Sequence, residues 1–301
     1  MKPIRSYRAL FDKVVDALFR LSLVAVGLFA LYLILIVFFV ASAHIPSSSM
    51  APTLIAGDYV LIKKWQVGPR FFNPMDAAGH RPLTIHRWAG TRGIRRNDVL
   101  VFNYPYPERE DSIGFKLSLY YIKRCIALPG DTLRIVDSRY RVSGHDGTLG
   151  NLAMQDSLQR TPDSVLMADI STRYLRIYPN DTAFGWTRKR FGPLYIPRKG
   201  GVVGLTHRTY ALYKNLIEWE QRKKLTEADG QYYLNDSLVR SYTFLKNYLF
   251  MGGDNSLASV DSRYWGPLPE EYVLGRASLI WNSVNMTTDK VRRARIMKQI
   301  E

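Results

Sequence analysis

The segment Pro46-Ser47-Ser48-Ser49-Met50-Ala51-Pro52-Thr53-Leu54 sets three serine hydroxyls between two prolines. A second segment, Tyr120-Tyr121-Ile122-Lys123-Arg124-Cys125-Ile126-Ala127-Leu128-Pro129-Gly130-Asp131, carries a lysine inside an apolar run. A hydroxyl becomes a nucleophile when a base takes its proton, and a lysine can do that only while neutral. As a strand, the second segment sends Tyr121, Lys123, Cys125 and Ala127 to one face. A ring, a thiol and a methyl group offer little water and no anion, so desolvation lowers the lysine pKa. Keeping half of it neutral at about pH 8, from an ordinary ~10.4, costs about 3.3 kcal/mol, which burial supplies. Ser49 and Lys123 are therefore a candidate nucleophile and base. Each segment also has a plainer reading, which is the stronger one when the segment is taken alone. The first suits a juxtamembrane linker, and the second an edge strand with its lysine in solvent.

Other chemistries lack their residues. His44, His80, His86, His145 and His207 are scattered, and neither His-Glu-x-x-His nor Cys-x-x-Cys spacing occurs, so no metal site is expected. Gly-x-Ser-x-Gly, Ser-x-x-Lys and phosphate-loop signatures are also missing. The single cysteine, Cys125, excludes an intrachain disulfide.

The elements that must position the two segments begin with Leu21 to Ala43, an uncharged run long enough as a helix to span a ~30 Å hydrocarbon layer. Lys2, Arg5, Arg8, Lys13 and Arg20 outweigh Asp12 and Asp16 before it, which places residues 1–20 in the cytoplasm and the rest outside. Six steps of chain then hold Ser49 within roughly 20 Å of the bilayer edge. A cleaved signal peptide is the weaker reading, since its apolar core is shorter. Beyond the anchor, short apolar or alternating runs broken by Gly, Pro, Asn and Asp predict a mainly β fold, with strands at Tyr59 to Lys63, Val99 to Phe102 and Tyr120 to Leu128. Leu212, Leu216 and Trp219 recur at helical spacing within Thr206 to Lys224. The polar stretch from Trp65 to Arg95, broken by Pro69, Pro74, Gly79 and Pro82, reads as a long loop. Loop placement points Phe71, Phe72, Trp88, Tyr104 and Tyr106 outward to the bilayer, the competing view being that they fill the β core.

Four blocks in order resemble the bacterial type I signal peptidases, also called leader peptidases. They are Pro46 to Leu54 with Gly57-Asp58, Arg96 to Phe102, Tyr121 to Asp131, and Gly253-Asp254-Asn255 running on to Ser259-Val260-Asp261-Ser262-Arg263-Tyr264-Trp265-Gly266. Together they span about a quarter of the chain. Ser256 stands where members often carry arginine, and one anchor helix stands where some members have two.

The resemblance implies that Ser49 is the nucleophile, Lys123 the general base, Ser47 an oxyanion donor and Ser259 the residue that hydrogen-bonds and orients the lysine. Asp261 and Arg263 would form a supporting ion pair, and Ile45, Met50, Tyr121 and Ile122 would narrow the substrate pocket. A catalytic β domain is implied over 44–131 and 251–285, interrupted by an inserted second domain over 132–250, with a basic tail over 286–301. The implied activity is removal of signal peptides from exported preproteins, cutting after small residues and using no cofactor. It would act in the bacterial cytoplasmic membrane with the catalytic domain outside. A self-cleaving repressor-like protease shares the dyad, but the membrane helix argues against it. A silent membrane-tethered envelope binding or scaffold protein is the alternative from another class. The formal net charge of +16 suits an anionic lipid surface, and no nucleic-acid reader motif accompanies it.

Overall fold

The structure is a computed structural model that describes residues 3–79, 83–109, 111–168 and 176–301. Lys2, His80 and Pro82 lie outside the described residues. The fold is mainly β, as the runs of alternating residues predict.

Helix α1, Pro3–Ile34, starts well before Leu21, because the basic residues ahead of the apolar run are good helix formers and Arg20 pairs with Asp16 one turn away at 3.3 Å. A π-helical turn, Leu35–Phe39, ends it. The stretch Phe11–Phe39 is long and apolar enough to cross a membrane, and none of it is buried. The expected helix does not reach Ala43. Val40–His44 is instead a strand, β1, paired antiparallel with β2, Asp58–Lys63, in a register from Val40 opposite Lys63 to His44 opposite Tyr59. Two contacts favour this ending. The strand pairs an otherwise open edge of β2, and the Lys64 ammonium donates to the carbonyls of Ile36 and Val37 at 2.7 and 3.2 Å, which the helix end leaves unpaired.

The main sheet continues with β3, Val99–Asn103, β4, Tyr120–Ala127, β5, Tyr248–Gly252, β6, Leu268–Pro269, β7, Val273–Ser283, and β8, Lys298–Gln299. Its order is β1-β2-β7-β3-β4-β5-β6, with β8 also paired to β7. Register shifts on β7 and β5 bend the strands and curl the sheet. Strand β3 is buried along its whole length, so its side chains feed two cores. Leu100 and Phe102 enter a large cluster. Val99 and Val101 join a smaller one with Ile45, Met50, Leu54 and Ile280.

The large cluster also takes in Leu133, Ile135, Leu194, Leu212, Tyr213 and Phe244, so the stretch expected as an inserted domain shares one continuous core with β3 to β5. Strand β5 itself straddles the expected boundary at residue 250. Within that stretch, helix α2, His207–Gln221, matches its predicted place and opens on Thr206 in a reciprocal cap with Thr209. Residues 286–301 pack against the sheet: β8 pairs with β7, Ile300 is buried, and Arg295 grips the buried Asp58 carboxylate through two bonds at 3.0 and 2.6 Å.

The stretch from Trp65 to Arg95 holds short helices at Lys64–Val67 and Pro74–Ala78 and a two-residue ladder between Arg70–Phe71 and His86–Arg87. It is held down by Arg70, which donates to the Tyr272 carbonyl at 2.8 Å and to the Asn103 side chain at 3.0 Å. The expectation that five aromatics are exposed holds for Trp88, at 63% of its full surface, but not for the others. Tyr106 is core, Phe72 packs edge-on against Phe115, and Tyr104 stacks on Tyr121. These rings find apolar partners within the chain, the commoner fate of large aromatics. Phe71 and Trp88 instead cluster with Phe38 at the end of the long helix, with ring centroids 4.4 to 5.9 Å apart.

Candidate active site

The serine segment follows β1 directly. Ile45 and Gly57 close its base, with the Ile45 N–H donating to the Asp58 carbonyl and the Gly57 N–H to the Ile45 carbonyl, both at 2.8 Å. Met50 and Leu54, both fully buried, pin the turn beyond. A second clamp comes from the last block of the sequence. The Asn255 N–H donates to the Ser49 carbonyl at 3.1 Å, and its side-chain amide to the Ser48 carbonyl at 3.2 Å.

Lys123 lies on β4, opposite Leu100 of β3, and is only 4% exposed. Its ammonium donates to the Ser49 hydroxyl at 2.7 Å and to the Ile122 carbonyl at 3.0 Å. The Tyr121 ring centroid lies 5.5 Å away. Burial pushes the lysine pKa down to about 8, against the pull of the Asp261 and Asp254 carboxylates. The absence of nearby anions expected from β4 alone is therefore not found, since both carboxylates come from another part of the chain. Desolvation still outweighs them.

Ser47 and Ser49 lie with their hydroxyl oxygens 3.5 Å apart. Ser259 is buried beside the dyad, and a Cβ placed on Gly253 would meet its hydroxyl and the Ser49 carbonyl. Its hydroxyl helps hold the Asp261 carboxyl ionised but makes no hydrogen bond of good geometry, and the Lys123 ammonium bonds elsewhere. Asp261 and Arg263 form a buried two-bond pair at 2.8 Å each, and Asp261 also accepts the Gly253 N–H at 2.9 Å. Burial pushes the Asp261 carboxyl up, but Arg263 and these bonds bring it below its ordinary value.

The site also holds an ion pair not expected from the sequence. Arg124, next to the lysine, grips Asp254 through two bonds at 2.6 Å, and Thr53 donates to the same carboxylate at 2.5 Å. This pair ties the serine, lysine and glycine-rich blocks together. Its signal was Gly253-Asp254-Asn255 itself, a carboxylate between residues that crowd the serine.

A cavity of about 390 Å³ opens over the dyad, walled by Ala43, Ile45, Val101, Ile122 and Val260 around Ser49 and Lys123. Ile45, Tyr121 and Ile122 line it as expected from the resemblance. Met50 does not, because its side chain points into the smaller core and is 0% exposed. No group of three or more His, Cys, Asp or Glu side chains that could hold a metal occurs among the described residues. The arrangement can do acyl transfer with a hydroxyl nucleophile and an amine base.

The family described as "Signal peptidase, peptidase S26" matches residues 18–282. Signal peptidase I of Buchnera aphidicola (subspecies Schizaphis graminum) is 27% identical over 247 residues, which cover 80% of this chain and 67% of that relative. Signal peptidase I of Pseudomonas aeruginosa is 26% identical over 266 residues, 84% of this chain and 69% of that one. A solved signal peptidase I from Enterococcus faecalis is 18% identical and covers 62% of this chain and 98% of its own, with a TM-score of 0.29. A match over this much of the chain settles its place: the protein belongs to the signal peptidase family, peptidase S26, and is a hydrolase.

Proposed function

We propose that this protein is a membrane-anchored serine endopeptidase that removes signal peptides from exported preproteins, with Ser49 as nucleophile and Lys123 as base. The observation that carries the reading is the 2.7 Å contact between the Lys123 ammonium and the Ser49 hydroxyl, made by a lysine whose burial brings its pKa to about 8. Neutral Lys123 takes the Ser49 proton as the oxygen attacks the scissile carbonyl. The oxyanion is held by the Ser49 N–H and the Ser47 hydroxyl, and Lys123 then protonates the leaving amine. Water, deprotonated by the same lysine, releases the acyl group and restores Ser49. The Asp261–Arg263 pair sets the charge around the lysine, and Ser259 supports the Asp261 carboxylate rather than bonding the lysine itself. The apolar walls Ile45, Val101 and Ile122 favour a small side chain at the cut.

The N-terminal residues lie in the cytoplasm and the sheet lies on the outer side of the membrane, in line with the excess of basic residues before the helix. The Phe38, Phe71 and Trp88 cluster marks the interface with anionic lipid. The test is to incubate the full-length protein, in lipid vesicles, with a purified preprotein and to read the new N-terminus by mass spectrometry. Cleavage after a small residue at the end of the signal peptide supports the reading. A preprotein left intact across a pH series overturns it.

A further inference from the structure

A second cavity, of about 410 Å³, lies beside the catalytic one. Val260 forms a wall of both. Tyr104, another wall of the second cavity, stacks at 4.5 Å on Tyr121, a wall of the first. The far side is built from helix α2 and residues 176–180. That loop is fastened at both ends of the gap. The Tyr178 N–H donates to the Arg263 carbonyl at 2.9 Å, and its hydroxyl donates to the Leu212 carbonyl. Tyr106 and Trp265 supply apolar surface.

The charges on its walls are unbalanced. Asp111 is already taken by Arg109, in a two-bond pair at 2.9 and 2.8 Å. Arg176 and Lys214 also line the cavity, and neither forms an ion pair with any described residue. Lys214 stands 5.4 Å from the Tyr210 ring centroid, and among the described residues Arg176 donates to the Asn180 side chain at 3.4 Å. Aromatic walls with two cations that have no carboxylate partner among the described residues suit an extended peptide bearing a carboxylate.

The position says which part of the peptide. On the signal-peptidase reading, the apolar part of the substrate stays with the membrane. It therefore lies toward Ala43, on the strand that runs back into the long helix. The chain on the other side of the scissile bond leaves past Val260. We propose that the second cavity binds the first residues on the carboxyl side of the cut, and that it selects an acidic side chain among them.

The experiment uses the full-length enzyme and a preprotein series carrying Glu, Gln or Lys in turn at roughly the second to sixth residue after the cut, a reach set by ~3.3 Å per residue. At one or two of these positions Glu should exceed Lys in kcat/KM by roughly three- to tenfold, as expected of two partly screened ion pairs. The difference should lie in KM and shrink as salt rises. Arg176→Glu with Lys214→Glu should reverse the order, and Arg176→Gln with Lys214→Gln should flatten it, so misfolding of one variant leaves the other decisive. Equal kinetics for Glu and Lys with the unaltered enzyme, or a preference that survives both double variants, would overturn the proposal while leaving the peptidase reading intact. No cleavage of any member would overturn both.

Discussion

Gly253 stands so close to Ser259 that a methyl group on its α-carbon would come within 2.0 Å of the Ser259 hydroxyl and 2.7 Å of the Ser49 carbonyl. Both neighbours belong to the proposed machinery and one is backbone, so neither can yield without moving the site. Gly253→Ala should therefore lower kcat by at least about a hundredfold, since displacing reacting groups by about 1 Å is this costly, with a smaller proportional loss of stability. Steady-state kinetics beside chemical denaturation checks this. An alanine enzyme with near-normal turnover would show that Ser259 and Ser49 need not be so crowded.

Ser49→Ala and Lys123→Arg should each abolish preprotein cleavage. Arginine keeps its proton at any accessible pH and cannot replace a neutral amine. Lys123→Met, which removes the charge from a buried site, should be inactive as well and should fold normally. Gel-based cleavage with circular dichroism on the same samples separates loss of chemistry from loss of fold, and appreciable turnover by either Ser49→Ala or Lys123→Arg would exclude the assignment.

The depressed lysine pKa has a sign that can be checked in two ways. The working form is the neutral one, so kcat/KM should rise about tenfold per pH unit in acid and level off above about pH 8. Stability runs in the same sense. The folded lysine resists protonation while the unfolded one has its ordinary value of 10.5, so the cost of burial is complete below about pH 8 and fades as the pH approaches 10.5. Lys123→Met should thus stabilise the fold most at neutral pH, and an equal gain at pH 7 and at pH 10.5 would contradict the buried-lysine account.

In the proposed mechanism Ser47 donates to the oxyanion, and one such donor is worth about 10² to 10³ in rate. Ser47→Ala should lose that factor in kcat with little change in KM, measured on a peptide spanning the cut. A variant within threefold of the parent would remove Ser47 from the mechanism.

The surroundings of Lys123 could be read from residue order. Alternation in β4 put Lys123 among apolar neighbours, and the turn residues around it marked the strand ends. Helix α2 followed from Leu212, Leu216 and Trp219. What local pattern could not reveal was pairing across long stretches of chain. Val40 to His44 reads equally as the end of an apolar helix, and only the open edge of β2 makes it a strand. Met50 sits beside Ser49 in sequence, but which way it points depends on Leu54, Val99 and Ile280 packing around it. Tyr106 reads as exposed from its loop placement, while the groups that bury it come from elsewhere in the chain.

The immediate succession of helix, π-turn and edge strand bears on how this enzyme can be cut down for handling without detergent. Removing everything through Ala43, where hydropathy suggests the anchor ends, would strip away nearly all of β1 and leave the backbone of Asp58 to Lys63 unpaired along one side. An open flank of that kind recruits other chains, so such a fragment should self-associate. Starting at Val40 instead keeps the flank covered, and light scattering of the two fragments should separate a monomer from an aggregate.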